Sequence, residues 1–132
     1  AGIPNNKTRT LILDIKFNKN YLERAIHHEL FHIINDNFKE LFDEHEWKNF
    51  NKKNFKYSDC STCNDNWNLD QLDDGSGFFT EYAKSTISED MAEVFSHLIF
   101  YQEEINIKDP IIKNKILFIK KIILNIDDNF NF

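Results

Sequence analysis

His28, Glu29 and His32 stand in the order His-Glu-x-x-His within the stretch AIHHELFHII. On an α-helix, side chains four apart lie one above the other on one face, so two imidazoles can point at a single ion. Glu29 then sits on the flank that faces a metal-bound water. A hydrolytic zinc site takes three protein ligands and leaves a position open for water, so a third ligand is required. One route extends the motif to His-x-x-Gly-x-x-His, but the segment after His32 reads IINDNFKEL, with neither that glycine nor that histidine. The other route is an acidic side chain on a later helix. SEDMAEVF supplies Glu89 and Glu93 four residues apart, so one can ligate the metal while the other hydrogen-bonds a ligand histidine from behind and fixes its tautomer. Tyr82 lies seven residues before Glu89, and its phenol is a candidate donor to the oxyanion that forms when water attacks a carbonyl. Taken singly, the two glutamates read as a solvated helix face and Tyr82 as a packing residue. Together with the first motif they read as a set.

These residues need elements to hold them. Leu11, Leu13, Ile15 and Phe17 alternate at period two and predict a strand over Thr8–Phe17. Asn20 with Glu23 three residues later has the form of an N-terminal capping box. Leu22, Ile26, Leu30 and Ile33 then predict a helix with those four inward, ending at Asn35–Asn37. A second helix is expected across 38–50, with Phe38, Leu41, Phe42 and Phe50 inward. From Asn51 to Gly77, including Asp74-Gly75-Ser76-Gly77, the chain is polar. It predicts a long loop placed to form a rim or lid over the site. A third helix, capped by Ser88 and running through 88–104, has Met91, Val94, Phe95 and Leu98 inward. A last amphipathic helix follows Asp109-Pro110, with Ile112, Ile116, Ile119 and Ile123 inward. The class is α+β, predominantly helical, with a short β-element before the active-site helix. The strand over Thr8–Phe17 would offer an edge to an extended peptide.

A length of 132 residues suits one domain with one core, spanning 1–132. Thirteen Phe against three Gly and two Pro agree with an aromatic, helix-rich interior. A net charge of −6 argues against a nucleic-acid surface, which requires a basic stripe. No apolar run reaches the about 20 residues of a membrane span. The chain starts at Ala1 without an initiator Met, which reads as a processed form or a piece of a longer protein. Cys60 and Cys63 have no second pair with which to build a structural zinc site. A local disulfide and two free thiols both remain open for them. His27 and His45 have no spacing that recruits them, and His97 extends the Glu89–Glu93 stripe on a helix face.

The arrangement HHELFH…GFFTEYAKSTISEDMAEVF resembles gluzincin metallopeptidases. The resemblance is to the anthrax lethal factor-like group that includes the clostridial Pro-Pro endopeptidases, and closer still to a set of small zinc-binding metallopeptidases. It covers roughly Gly2 to Tyr101. The resemblance implies a zincin-like core, one catalytic Zn2+, a peptide or protein substrate, and a secreted or extracellular setting. It implies Glu89 as the third ligand beside His28 and His32, Glu93 as its second carboxylate, Glu29 as general base and Tyr82 as the residue that assists the transition state. The alternative is a zinc-binding module of a larger protein that no longer cleaves. One departure is Phe31, where related helices often carry Gly before the second histidine, and a bulky side chain there is expected to narrow the cleft. Loops that set proline specificity have no counterpart in this chain, and neither substrate preference nor oligomeric state follows.

Overall fold

A computed structural model describes residues 2–5, 7–16, 18–64, 67–72, 75–101 and 108–132. The strand end at Phe17, Asp74 and helix residues 102–104 lie outside the described residues. The β-element is a hairpin of two short strands, β1 (Gly2–Asn5) and β2 (Thr10–Leu13), antiparallel with Ile3 opposite Ile12. The expected strand is therefore shorter, and its partner precedes it. Pro4 has no amide to donate and suits an edge strand, and the burial of β1 alternates through it.

Helix α1 (Lys19–Asn37) is capped by Asn18, whose side chain accepts from Tyr21 N, and not by Asn20. Its inward set also differs from expectation. Ile26 and Leu30 are 37% and 39% exposed, while His28 and Phe31 are buried. The face that meets the rest of the protein is the one that carries the imidazoles, so Ile26 and Leu30 are left at the flank, while Ile33 is buried as expected. Phe31 is fully buried, edge-on to Phe42 and tilted against Phe95, with ring centroids at 5.3 and 5.5 Å. It fills the core and leaves the cleft alone, contrary to expectation.

The expected second helix is broken. A 3-10 turn at Lys39–Leu41 gives way to α2 (Glu44–Phe50), because Asp43 accepts from the His45 and Glu46 amides and starts a new helix. The inward residue of α2 is Trp47, fully buried, whereas Phe38 is 37% exposed. Among the described residues, the stretch from Asn51 to Gly77 forms no helix or strand. A 3-10 turn at Tyr82–Lys84 leads into α3 (Ile87–Tyr101), and α4 (Pro110–Ile126) closes the chain's helical part.

Helix α3 is buried on nearly every side, with Met91, Val94, Phe95 and Leu98 inward as expected. Its cap is Thr86, whose hydroxyl accepts from the Glu89 amide. The predicted cap, Ser88, lies inside the first turn and is free for another task. Helix α4 buries Ile112, Ile116, Ile119 and Ile123 as expected and is capped by Asp109 with Pro110 at its first position.

A buried polar knot fixes α3 against α4 and the loop. Lys115 Nζ donates to Asp90 Oδ2 at 2.7 Å and to the Gly77 carbonyl at 2.8 Å. Trp47 Nε1 and the Tyr57 hydroxyl donate to the same Asp90 oxygen at 2.8 and 2.6 Å. Gly77, at φ +90°, donates its amide to Asp109, and a Cβ there would sit 2.6 Å from Ile111 Cγ2. The turn that carries Glu89 is thereby held from behind. Among the described residues, no helix is long and apolar enough to cross a membrane.

Candidate metal centre

Helices α1 and α3 cross with His28 and His32 facing Glu89. His28 Nε2 lies 2.9 Å from Glu89 Oε2, and His32 Nε2 lies 3.3 Å from both that oxygen and His28 Nε2. These three donor atoms lie within 4.8 Å of one another, and the trio is the group among the described residues that could hold a metal ion. The opposite ring nitrogens are taken. His28 Nδ1 is 2.8 Å from Glu93 Oε1, and His32 Nδ1 is 3.1 Å from Ser88 Oγ. Each imidazole is therefore oriented by a partner behind it, with Nε2 turned to the shared point. Two nitrogens and one carboxylate oxygen are the donor set that zinc accepts, so the residues fit the ion.

Glu93 is 3% exposed and its second oxygen is fully engaged. Arg24 Nη1 donates to Glu93 Oε2 at 2.8 Å and Thr80 Oγ1 at 2.9 Å. Burial opposes the charge of Glu93, but His28 and Arg24 hold its carboxyl down at about 2. Burial likewise disfavours a charged His28. The hydrogen bonds that its ring donates to Glu89 and Glu93 overcome this and push it up to about 10. Glu89 is held well below the usual carboxylate range by the two imidazoles, against the cost of its burial.

His97 lies on the stripe below Glu93 but outside the trio. Its Nδ1 donates to the Glu93 carbonyl at 2.8 Å and its ring stacks on Phe79 at 4.4 Å, 1% exposed. It is a core histidine. His27 and His45 do not reach the cluster either.

Glu29 and Tyr82 line the same cleft as the trio. Two connected cavities, of about 350 and 450 Å3, share Gly2, His28, Glu29, Ser61, Thr62 and Tyr82 in their walls. The Tyr82 ring stands 6.0 Å from the His28 ring, centroid to centroid. Burial, the charge of Glu89 and a hydrogen bond to it all push the Tyr82 phenol up, so it stays protonated. β1 rather than β2 borders the cleft, and a Cβ on Gly2 would sit 2.5 Å from Glu29 Cγ. Across from β1, Cys60 and Cys63 form a disulfide around Ser61 and Thr62. The polar loop thus supplies a rim, as its length and composition suggested.

Residues 6–115 match the family described as a putative zinc-binding metallo-peptidase. That stretch is most of the chain and contains the whole trio. The chain belongs to this family. No curated protein and no solved structure matches it.

No motif in the sequence marks Arg24 or Thr80, and Ser88 reads there only as a helix cap. Arg24 was legible to the extent that it lies four residues before His28 on the same helix face. The other two become visible only when α1 and α3 are brought together.

Proposed function

We propose that this chain is a zinc endopeptidase of the gluzincin type with a zincin-like core, in which His28, His32 and Glu89 hold one ion. The observation that carries this reading is the convergence of three donor atoms, each imidazole braced from behind, on a cleft lined by Glu29 and Tyr82. Zinc held there polarises a carbonyl and lowers the pKa of water from about 15.7 toward about 7. Glu29 takes the proton of the attacking water and returns it to the leaving amine. Tyr82, kept protonated by burial and by Glu89, donates to the carbonyl oxygen as negative charge builds there. Glu93 holds His28 in one tautomer, and its own charge is fixed by Arg24 and Thr80. The substrate is a peptide or protein segment lying along α1 between β1 and the Ser61–Thr62 rim. A purely structural zinc site would require neither Glu29 nor Tyr82.

The test is Glu29→Gln. Peptide cleavage should fall by about 10²–10⁴-fold, while zinc content stays at that of the unsubstituted chain. If cleavage is unchanged with zinc bound, Glu29 is not the base. A zinc-loaded chain that cleaves nothing in a diverse peptide library would be the non-cleaving module instead.

A further inference from the structure

Tyr82 is held from outside its own element. The 3-10 turn at Tyr82–Lys84 is three residues long and buries only Ala83, so no helical packing fixes the phenol. Its ring stands edge-on to Trp67 at 6.5 Å, and its hydroxyl is hydrogen-bonded to Glu89 and to Ser61. The two bonds differ in sense. The phenol donates to the Glu89 carboxylate, whereas the Ser61 hydroxyl donates to the phenol oxygen. The second bond therefore aims the oxygen and leaves the phenol proton available to an acceptor in the cleft.

Ser61 is itself placed by a short cross-link. The Cys60–Cys63 disulfide joins residues three positions apart and encloses Ser61 and Thr62. Loop-closure entropy grows with the number of residues enclosed, so a ring this small adds little to global stability. What it fixes is local shape. Hydrogen bonds on both sides join this turn to the one that carries Tyr82. Ser58 donates its amide to the Lys84 carbonyl at 3.3 Å and its hydroxyl to the Ser85 carbonyl at 3.0 Å. Trp67 Nε1 donates to the Ser61 carbonyl at 3.0 Å, and the Tyr82 amide donates to the Asn68 carbonyl at 3.3 Å. Among the described residues from 58 to 72, none belongs to the hydrophobic core. The disulfide thus shapes a segment that core packing does not hold. Cys63 is exposed, so its sulfur is open to an incoming thiol.

Resting on the peptidase reading above, we propose that Ser61 is a positioning residue for Tyr82, held in place by the Cys60–Cys63 bond, and that a dithiol reductant slows the enzyme by opening that bond. A thiolate of the reductant attacks Cys63 Sγ, and Cys60 leaves as a thiolate that takes up a proton. The second thiol of the reductant then attacks the mixed disulfide, releasing Cys63 as a thiol and the reductant as its own disulfide. Ser61 and Thr62 lose their fixed turn and the phenol loses its donor, while the ligand residues on α1 and α3 keep their places.

The test reads turnover and structure separately. Ser61→Ala should lower kcat about threefold to tenfold, the worth of one net hydrogen bond, with KM and zinc content unchanged. Ser61→Thr keeps the hydroxyl and should recover most of the loss. In a Tyr82→Phe background, Ser61→Ala should change kcat by less than about twofold, because the phenol oxygen that it holds is gone. Dithiothreitol should lower kcat at least as far as Ser61→Ala does, reversibly on reoxidation. It should have no effect once Cys60→Ser and Cys63→Ser are combined, and that control reveals any stripping of zinc by the reagent. In the zinc-free protein, NMR follows the same contacts without turnover. The Trp67 indole N–H and the Tyr82 ring signals should both shift on reduction, while the Trp47 indole stays in place. Ser61→Ala should shift the Tyr82 signals far more than that of Trp67. An equal loss of kcat in the Tyr82→Phe background overturns the positioning role and leaves the peptidase reading standing. So do Tyr82 signals and a kcat that are indifferent to Ser61→Ala and to reduction. Signals that move as described, in a chain that cleaves nothing when loaded with zinc, overturn the peptidase reading and leave the hold on Tyr82 standing.

Discussion

On the proposed ligation, zinc and a proton compete for His28, and the geometry sets the terms. In the zinc-free protein His28 faces a carboxylate from each ring nitrogen, Glu93 at 2.8 Å and Glu89 at 2.9 Å. Although its burial favours the neutral ring, these partners raise it to about 10. Ligation needs the Nε2 lone pair, so the proton must leave. At pH 7, about three units below that value, its removal costs about 4 kcal/mol at 1.36 kcal/mol per unit, or about a thousandfold in apparent affinity. Affinity for zinc should therefore rise with pH, about tenfold per unit, and go on rising between about pH 7.5 and 8.5. An ordinary imidazole, at about 6.5, has already lost its proton in that range and would give no slope. Glu89 and Glu93 are ionised throughout and add nothing to the slope. The assay is competition with a chromophoric chelator, paired with calorimetry in two buffers of different ionisation heat to count protons released. Metal-bound water can release a proton of its own, so the slope is compared with that of Glu93→Gln. There His28 holds its proton less tightly and the slope should fall. A flat affinity above pH 7.5, or an identical slope in Glu93→Gln, would refute the claim that these carboxylates hold His28 as an imidazolium.

Glu93→Ala should weaken zinc binding by about 10–100-fold without abolishing it; complete loss in a folded chain would make Glu93 a ligand. Gly2→Ala should push Glu29 aside, since the new Cβ would lie 2.5 Å from Glu29 Cγ. Cleavage should drop by up to about a hundredfold, with zinc affinity unchanged, as read by steady-state kinetics and the same chelator competition. Lys115→Met leaves the Asp90 carboxylate buried without its cation. Chemical denaturation should show a loss of about 3–5 kcal/mol, and equal stability would mean that Asp90 is neutral in the fold. The zinc-free protein should have a stability maximum near the usual histidine value. His28 is raised, so its contribution is present below about 6.5 and is lost as pH rises toward about 10. His97, lowered by burial to about 4, contributes above about 6.5 and loses that contribution as pH falls. Thermal melts in chelator from pH 4 to 10 read both limbs, and added zinc should remove the alkaline one.

Much of the site is legible in the sequence, because helical periodicity is a local property. Four-residue spacing alone puts His28 over His32 and Glu89 over Glu93, whatever surrounds them. The buried faces of α3 and α4 follow from the same rule, as does the capping of α4 by Asp109 before Pro110. What spacing leaves open is which face of a helix meets which neighbour. On α1 the regular stripe of Ile26 and Leu30 stays at the surface, and the face carrying His28 and Phe31 goes inside, because α3 presents Glu89, Glu93 and Phe95 to it. Ser88 shows the same limit. Its residue type suits a helix cap, but Thr86 caps α3 and the Ser88 hydroxyl braces His32 across the interface. The Arg24–Glu93 pair joins residues 69 positions apart, and the Lys115–Asp90 pair residues 25 apart. No local pattern reports a buried charge that is tolerated only because its partner arrives from another helix. Residue order sets the candidate ligand types and their spacing. The tertiary structure decided which carboxylate meets Nε2 and which meets Nδ1, because that choice depends on how two helices cross.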